Sequence, residues 1–239
     1  MTSDELYGLH AIDIDKLEAF EETLKGYMHS YLGFTTSKKK DFNETLFNLN
    51  DEDMSSLFDI LNMVPEVQSF QSYIIEKIAR NFLTFPMLSS YANVRIDIPK
   101  REKFLAPGHS DEWISFNGHR KYIFWLPLFN DAYLDITFDK GVHDVTNDSY
   151  WGIKLRDENK YHWVEQKVAR GNCLRFRSDL LHRSSRNFDK TIPRISLQIR
   201  LEDLNEIQKP YKRTTTQKIS QHVKNKQSEL LLKSKYCNE

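Results

Sequence analysis

Residues 122–129 read YIFWLPLF. The run is densely apolar, has the length of a strand, and contains Pro127, which cannot donate to a sheet ladder and so marks an edge or a bulge. The same texture repeats on both sides. Residues 91–98 alternate around Val94, Ile96 and Ile98 and close at Pro99. Residues 133–138, 150–155, 162–168, 173–177 and 194–200 are further short strand candidates, set apart by turn residues. Many short strands separated by turns predict a β-sandwich or barrel.

The first third has another period. Ile14, Leu17, Phe20, Leu24, Tyr27, Met28 and Tyr31 recur at spacings of three and four, which predicts an amphipathic helix over residues 12–32. Asn50 caps a second helix, with Asp51 and Asp53 in its first turn, that runs to Pro65. A third spans residues 67–83, with Phe70, Ile74, Ile78 and Phe82 on one face. Residues 37–50 read as a polar connection, and the Lys38-Lys39-Lys40 run in it as a solvated loop. Helices first and strands after, without strict alternation, argue against a doubly wound parallel sheet. The expectation is a mainly β protein with N-terminal helices.

Composition narrows the function classes. A chain of 239 residues with 39% apolar and 13% aromatic residues holds one large domain or one domain with extensions. The 34 basic and 34 acidic residues cancel, so no global field favours nucleic acid or membrane. Two cysteines, Cys173 and Cys237, lie far apart and make neither a disulfide framework nor a zinc motif; they fit a reducing cytosol. Residues 1–10 are polar and acidic, unlike a signal peptide, and no stretch approaches the roughly 18 apolar residues of a membrane span. The protein reads as soluble and cytoplasmic. From Lys209 to Glu239 eight Lys or Arg stand against two Glu, a basic C-terminal extension read as helical or flexible.

Chemistry concentrates in the β-rich part. In His109-Ser110-Asp111, extended backbone points His109 and Asp111 to one side and Ser110 to the other. His182 follows CLRFR in Ser178-Asp179-Leu180-Leu181-His182 and is a third ligand if its strand folds back beside the first two. Two neutral imidazoles and a carboxylate suit Fe(II) and leave three positions open. An HxD alone arises often by chance; Arg194, twelve residues after His182, strengthens it. Arg194 and Ser196 face the same side by strand alternation, a guanidinium and a hydroxyl suited to a carboxylate. Arg95, Trp113, Lys121, Tyr122 and Trp125 lie on flanking segments as possible contacts to substrate or cosubstrate. His10, His29 and His222 fall outside the strand region, and His119 beside a turn; His143 and His162 lack a carboxylate at ligand spacing.

These residues carry a resemblance. From about residue 93 to 200 the chain resembles the Fe(II)/2-oxoglutarate-dependent dioxygenases, in their phytanoyl-CoA dioxygenase-like branch. It rests on NVRIDIP, HSDEW, YIFWLPLFND, ARGNCLRFRSDLLHRSSRN and PRISLQIR. The resemblance implies a double-stranded β-helix, a distorted jelly roll, preceded by helices. It also implies iron held by His109, Asp111 and His182, and 2-oxoglutarate held by Arg194 with Ser196. Residues 1–208 would form one oxygenase domain, helical to residue 90 and double-stranded β-helix from residue 91, with 209–239 as the extension. The implied reaction consumes O2 and 2-oxoglutarate and oxidises an unactivated C–H of a small molecule, as in biosynthetic tailoring. Asp111 sets the chain apart from resembling halogenases, which carry a small residue there to admit halide. Residues 138–152, FDKGVHDVTNDSYWG, depart from the Gly-rich segment ending in G-S-H that many relatives have, and so from their substrates. Two other readings stand beside this one: a jelly-roll ligand- or carbohydrate-binding module, and a cupin-like metal-dependent isomerase or hydrolase.

Overall fold

A computed structural model describes residues 7–33, 42–89, 92–99, 101, 105–113, 119–139, 143–148, 152–185 and 192–207. In chain order its elements are β1 (Tyr7–Ala11), α1 (Ile14–Tyr31), α2 (Phe42–Asn48), α3 (Asp51–Met63), α4 (Pro65–Lys77), β2 (Pro86–Leu88) and β3 (Asn93–Asp97). After a 3₁₀ turn at Asp111–Trp113 come β4 (His119–Leu128), β5 (Ala132–Thr137), β6 (Val145–Asp148), β7 (Gly152–Leu155), β8 (Val164–Val168), β9 (Asn172–Arg177), β10 (Leu181–Ser184) and β11 (Arg194–Ile207).

Every strand pairing is antiparallel. The larger sheet runs β1-β9-β4-β11-β2, and β3 also pairs with β11. A smaller sheet runs β10-β5-β8, and β6 and β7 form a separate hairpin. The result is the expected jelly roll with helices before it.

Residues 122–128 of the apolar run lie in β4, and its two faces serve two cores. Tyr122, Phe124, Leu126 and Leu128 join Leu17, Leu24, Leu57 and Ile74 of the helices, together with Ile195, Leu197 and Ile199 of β11. Ile123 and Trp125 point the other way and pack with Leu134 and Ile136 of β5 and with Leu174 and Phe176 of β9. Burial on both faces explains why the run does not alternate. Each such side chain contributes about 1.5–3 kcal/mol when removed from water. Pro127 causes no break because β9 pairs with β4 only over Tyr122–Trp125, so Pro127 faces a partner, Ser196, on one side alone.

The helix readings hold with shifted ends. Asp13 caps α1 by accepting from the Asp15 and Lys16 amides, and Asn50 caps α3 by accepting from the Asp53 amide. The third helix starts at Pro65 and ends at Lys77; Phe82, expected on its buried face, is 43% exposed beyond a 3₁₀ turn. The polar connection of residues 37–50 contains a helix, α2, because Leu46 is fully buried against the core and one anchored turn suffices for seven residues. β1, β2, β6 and β10 are strands of three to five residues, too short to show a period. His10 therefore lies in a sheet, opposite Cys173, and His119 opens β4. The Lys38-Lys39-Lys40 run, His222 and the basic segment 209–239 lie outside the described residues. Among the described residues no helix is long and apolar enough to cross a membrane.

Candidate metal centre

Sheet geometry brings the histidines together. His109 and His182 exchange two backbone hydrogen bonds, His109 N to His182 O at 3.0 Å and the reverse at 2.9 Å. On the far side of this segment the Leu155 amide donates to Gly108 O at 2.7 Å. His109 is thus clamped between β10 and β7, and paired residues in a sheet share a face. The two imidazole centroids lie 4.3 Å apart. The extended path ends at Ser110, which turns away as alternation requires: its hydroxyl donates to Ser178 O at 2.8 Å and accepts from Glu112 N at 3.2 Å. The chain then enters the 3₁₀ turn and returns the Asp111 carboxylate to the histidines. Its oxygens lie 3.9 Å from His109 Nε2 and 3.8 Å from His182 Nε2. One ligand atom from each of the three residues falls within 4.8 Å of the others.

The protonation pattern suits a cation. Pro107 O lies 2.8 Å from His109 Nδ1, and Leu180 O lies 3.0 Å from His182 Nδ1. A carbonyl only accepts, so each Nδ1 carries the proton and each Nε2 keeps its lone pair. Burial lowers the pKa of both rings, that of His182 to about 3, so both are neutral at neutral pH. Burial works against ionisation of Asp111, yet Arg200, His182 and His109 outweigh it and hold the carboxyl well below the usual range. Among the described residues His182 Nε2 is buried without a hydrogen-bond partner. Neutral nitrogens and an anionic oxygen aimed at one point form a donor set for a divalent metal.

Strand β11 supplies the floor. Its residues 195, 197, 199 and 201 go to the helices, so Arg194, Ser196, Gln198, Arg200 and Glu202 face inward. Gln198 Nε2 donates to Asp111 Oδ2 at 3.1 Å, and Arg200 Nη2 donates to Asp111 Oδ1 at 3.0 Å. Arg194 is buried; it pairs with Asp97, donates to Tyr133 O, and donates to Ser184 Oγ at 2.7 Å. Burial and the nearby Arg95 lower its pKa to about 9, which leaves it cationic at neutral pH. Arg95 Nη2 lies 3.1 Å from the other oxygen of Asp97.

A jelly roll of two unequal sheets, with the triad on the smaller sheet and an inward arginine on the larger, is a specific arrangement. Two solved structures share the architecture. EctD from S. alaskensis, solved with 2-oxoglutarate and 5-hydroxyectoine, matches with a TM-score of 0.51 and 14% identity over 90% of this chain and 81% of that one. The non-haem α-ketoglutarate-dependent carbocyclase SnoK of nogalamycin biosynthesis matches with a TM-score of 0.51 and 12% identity over 92% and 91%. The fold is that of the 2-oxoglutarate oxygenases. No family model and no curated protein matches the sequence.

Within this oxygenase fold most of the expected site residues converge. His109, Asp111 and His182 form one cluster, and Arg194 and Ser196 lie on the β11 face that also contacts Asp111. Arg95 joins through Asp97, Trp125 lies 5.7 Å beneath the Arg194 guanidinium, and Lys121 pairs with Glu202 on the same inner face. Tyr122 does not join them: one step along β4, it packs under the helices and donates to Glu206 at 3.1 Å. The Trp113 side chain lies outside the described residues.

Sequence reasoning missed Gln198, Arg200, Ser184 and Glu158. The first two were within reach, since the alternation that orients Arg194 and Ser196 continues through them. Glu158 has no such signal. It accepts from the Gly108 amide at 2.6 Å and from Arg183 at 2.7 Å, fixing the backbone just before His109 from fifty residues away.

Gly108 is held as tightly. A Cβ there would lie 2.9 Å from Leu155 Cδ1 and 3.0 Å from Trp163 Cζ2. The leucine methyl can move, but the indole is tied to Glu158 O and covered by Arg183 at 4.3 Å. Gly108→Ala is expected to cost about 1–3 kcal/mol in urea unfolding and to weaken Mn(II) binding by displacing His109.

Proposed function

We propose that the chain is an Fe(II)/2-oxoglutarate-dependent oxygenase acting on a small molecule. The reading is carried by three convergent ligand atoms whose two imidazoles are fixed with Nε2 facing the Asp111 carboxylate. His109, Asp111 and His182 would hold iron, and Arg194 with Ser196 would hold the distal carboxylate of 2-oxoglutarate. Bound iron and cosubstrate supply oxidative decarboxylation to succinate and CO2, coupled to oxidation of an unactivated C–H. The chain's own part is to place the cosubstrate, keep the histidines neutral and orient the target carbon. Hydroxylation in biosynthetic tailoring is the outcome this reading favours.

Charge supports the assignment. Among the described residues the inward face carries the cations Arg95, Lys121, Arg194 and Arg200 and the anions Asp97, Asp111 and Glu202, one more cation than anion. A divalent metal and a dianionic cosubstrate add nothing to that balance. At the Arg194 end, two arginines and one aspartate leave one positive charge for the distal carboxylate.

Thermal unfolding with Mn(II) and N-oxalylglycine tests the reading. The two together should raise Tm by more than the sum of their separate effects, because each completes the other's site. In Arg194→Ala the Mn(II) increment should persist and the N-oxalylglycine increment vanish. Stabilisation by neither would favour a binding module. Stabilisation by metal alone in the parent would favour a cupin-like hydrolase or isomerase. With Fe(II), ascorbate and 2-oxoglutarate, the parent should form succinate.

A further inference from the structure

Arg200 occupies a position that the cosubstrate does not explain. It shares the inward face of β11 with Arg194 but lies six residues along, about 20 Å by strand rise. It meets Asp111 on the side of the triad away from the Arg194 end. One corner of its guanidinium is spent: Nη2 donates to Asp111 Oδ1 and to Gln198 Oε1, each at 3.0 Å. Nη1 and Nε have no hydrogen-bond partner among the described residues. Its side chain is 20% exposed, against 5% for Arg194.

Local charge bears on what those N–H groups can meet. Without metal, Arg200 is balanced by Asp111, and Lys121 by Glu202. A divalent metal would take the Asp111 carboxylate, and the 2-oxo acid's near carboxylate would supply its second negative charge. The distal carboxylate would balance the Arg194 end. Among the described residues one positive charge would then remain, on Arg200, and a buried or half-buried charge calls for a partner. We propose that Arg200 is the substrate-recognition cation, and that the substrate carries an oxyanion, a carboxylate or a phosphoryl group, which accepts from an N–H that Nη1 or Nε leaves free. This rests on the oxygenase reading and adds the substrate's charge to it. Gln198 is the positioning residue: it accepts from Nη2 and donates to Asp111, and so holds the guanidinium against that carboxylate.

Paramagnetic relaxation provides the test. The protein is loaded with substoichiometric Mn(II) and saturating N-oxalylglycine, and acetate or methylphosphonate is titrated in. Bound Mn(II) should broaden the acetate methyl protons and the methylphosphonate phosphorus with a saturable dependence on concentration. Arg200→Met should bind either anion at least roughly tenfold more weakly, the loss of a charge-assisted pair, while Mn(II) and N-oxalylglycine still raise Tm together. Arg200→Lys, which keeps the charge on a shorter side chain, should fall between the two. Broadening by methylphosphonate but not acetate identifies a phosphoryl substrate, and the reverse a carboxylate. Equal broadening in parent and Arg200→Met would place the anion on the metal itself and overturn the proposal. So would absence of broadening in a parent that is stabilised by Mn(II) and N-oxalylglycine. If that stabilisation is itself missing, the oxygenase reading fails first.

Discussion

Asp111→Ala is expected to bind Mn(II) at least roughly 100-fold more weakly than the parent, more than the usual cost of losing a residue that only supports a ligand. Asp111 is the one anion of the cluster. Both histidines are neutral, so the variant would have to hold a divalent ion on two imidazoles beside an arginine that no longer has a counter-ion. The change should act on the metal more than on the fold. The carboxylate itself is taken out of water and surrounded by Arg200, Gln198 and the histidines, and its loss also removes that desolvation cost. Circular dichroism should therefore be unchanged, while the Tm increment from Mn(II) disappears and N-oxalylglycine has no effect. An Asp111→Ala protein that kept the metal increment would put the ion elsewhere and end the oxygenase assignment. Asp111→Glu is the useful companion. It keeps the charge but lengthens the side chain in a site closed by Gln198 and Arg200, and should recover only part of the affinity.

What the sequence shows and hides follows from the geometry of burial. Helices α1, α3 and α4 were legible because one face of each is apolar and the other polar; α2, seven residues anchored by Leu46, was not. The triad was legible because HxD followed by a distal histidine and an arginine is a pattern of spacing, independent of exact strand ends. The direction of β4 was not: a strand buried on both faces has no alternation, so nothing in YIFWLPLF tells that Trp125 turns inward and Tyr122 outward. Pairings between distant segments were equally hidden. Asp97 and Arg194 meet because β3 and β11 register residue 97 against 194, and Glu158 reaches Gly108 only through the folding of the smaller sheet. Such contacts decide how firmly the site is held, and they leave no local trace.

The largest effect on stability is expected at Glu202. Its carboxylate is fully buried, 3.3 Å from the Lys121 ammonium, which is 2% exposed. Removing one member of a buried pair strands the other, at about 3–5 kcal/mol. Glu202→Ala should therefore unfold in urea with a stability lower by about that much at pH 7. Pairing with well-packed apolar residues is a different matter. The double variant Lys121→Met with Glu202→Leu should recover most of the loss, because neither charge then needs solvation. Lys121 also gives the single variant a pH signature. Burial already holds its pKa below the ordinary 10.5, against the pull of Glu202, and loss of Glu202 lowers it further. A lysine with a depressed pKa binds fewer protons folded than unfolded, so stability rises with pH from the folded pKa up to the unfolded one. The deficit of Glu202→Ala should thus shrink as pH rises from 7 towards 10, while that of the double variant stays flat. A deficit independent of pH would mean that lost packing, and not a stranded ammonium, accounts for it. The pair also bears on the proposal: with Lys121 neutralised by Glu202, Arg200 would be, among the described residues, the one cation left on that side of the triad once a metal took Asp111. Glu202→Ala, by freeing a second positive charge there, should bind acetate or methylphosphonate more tightly than the parent below the Lys121 pKa.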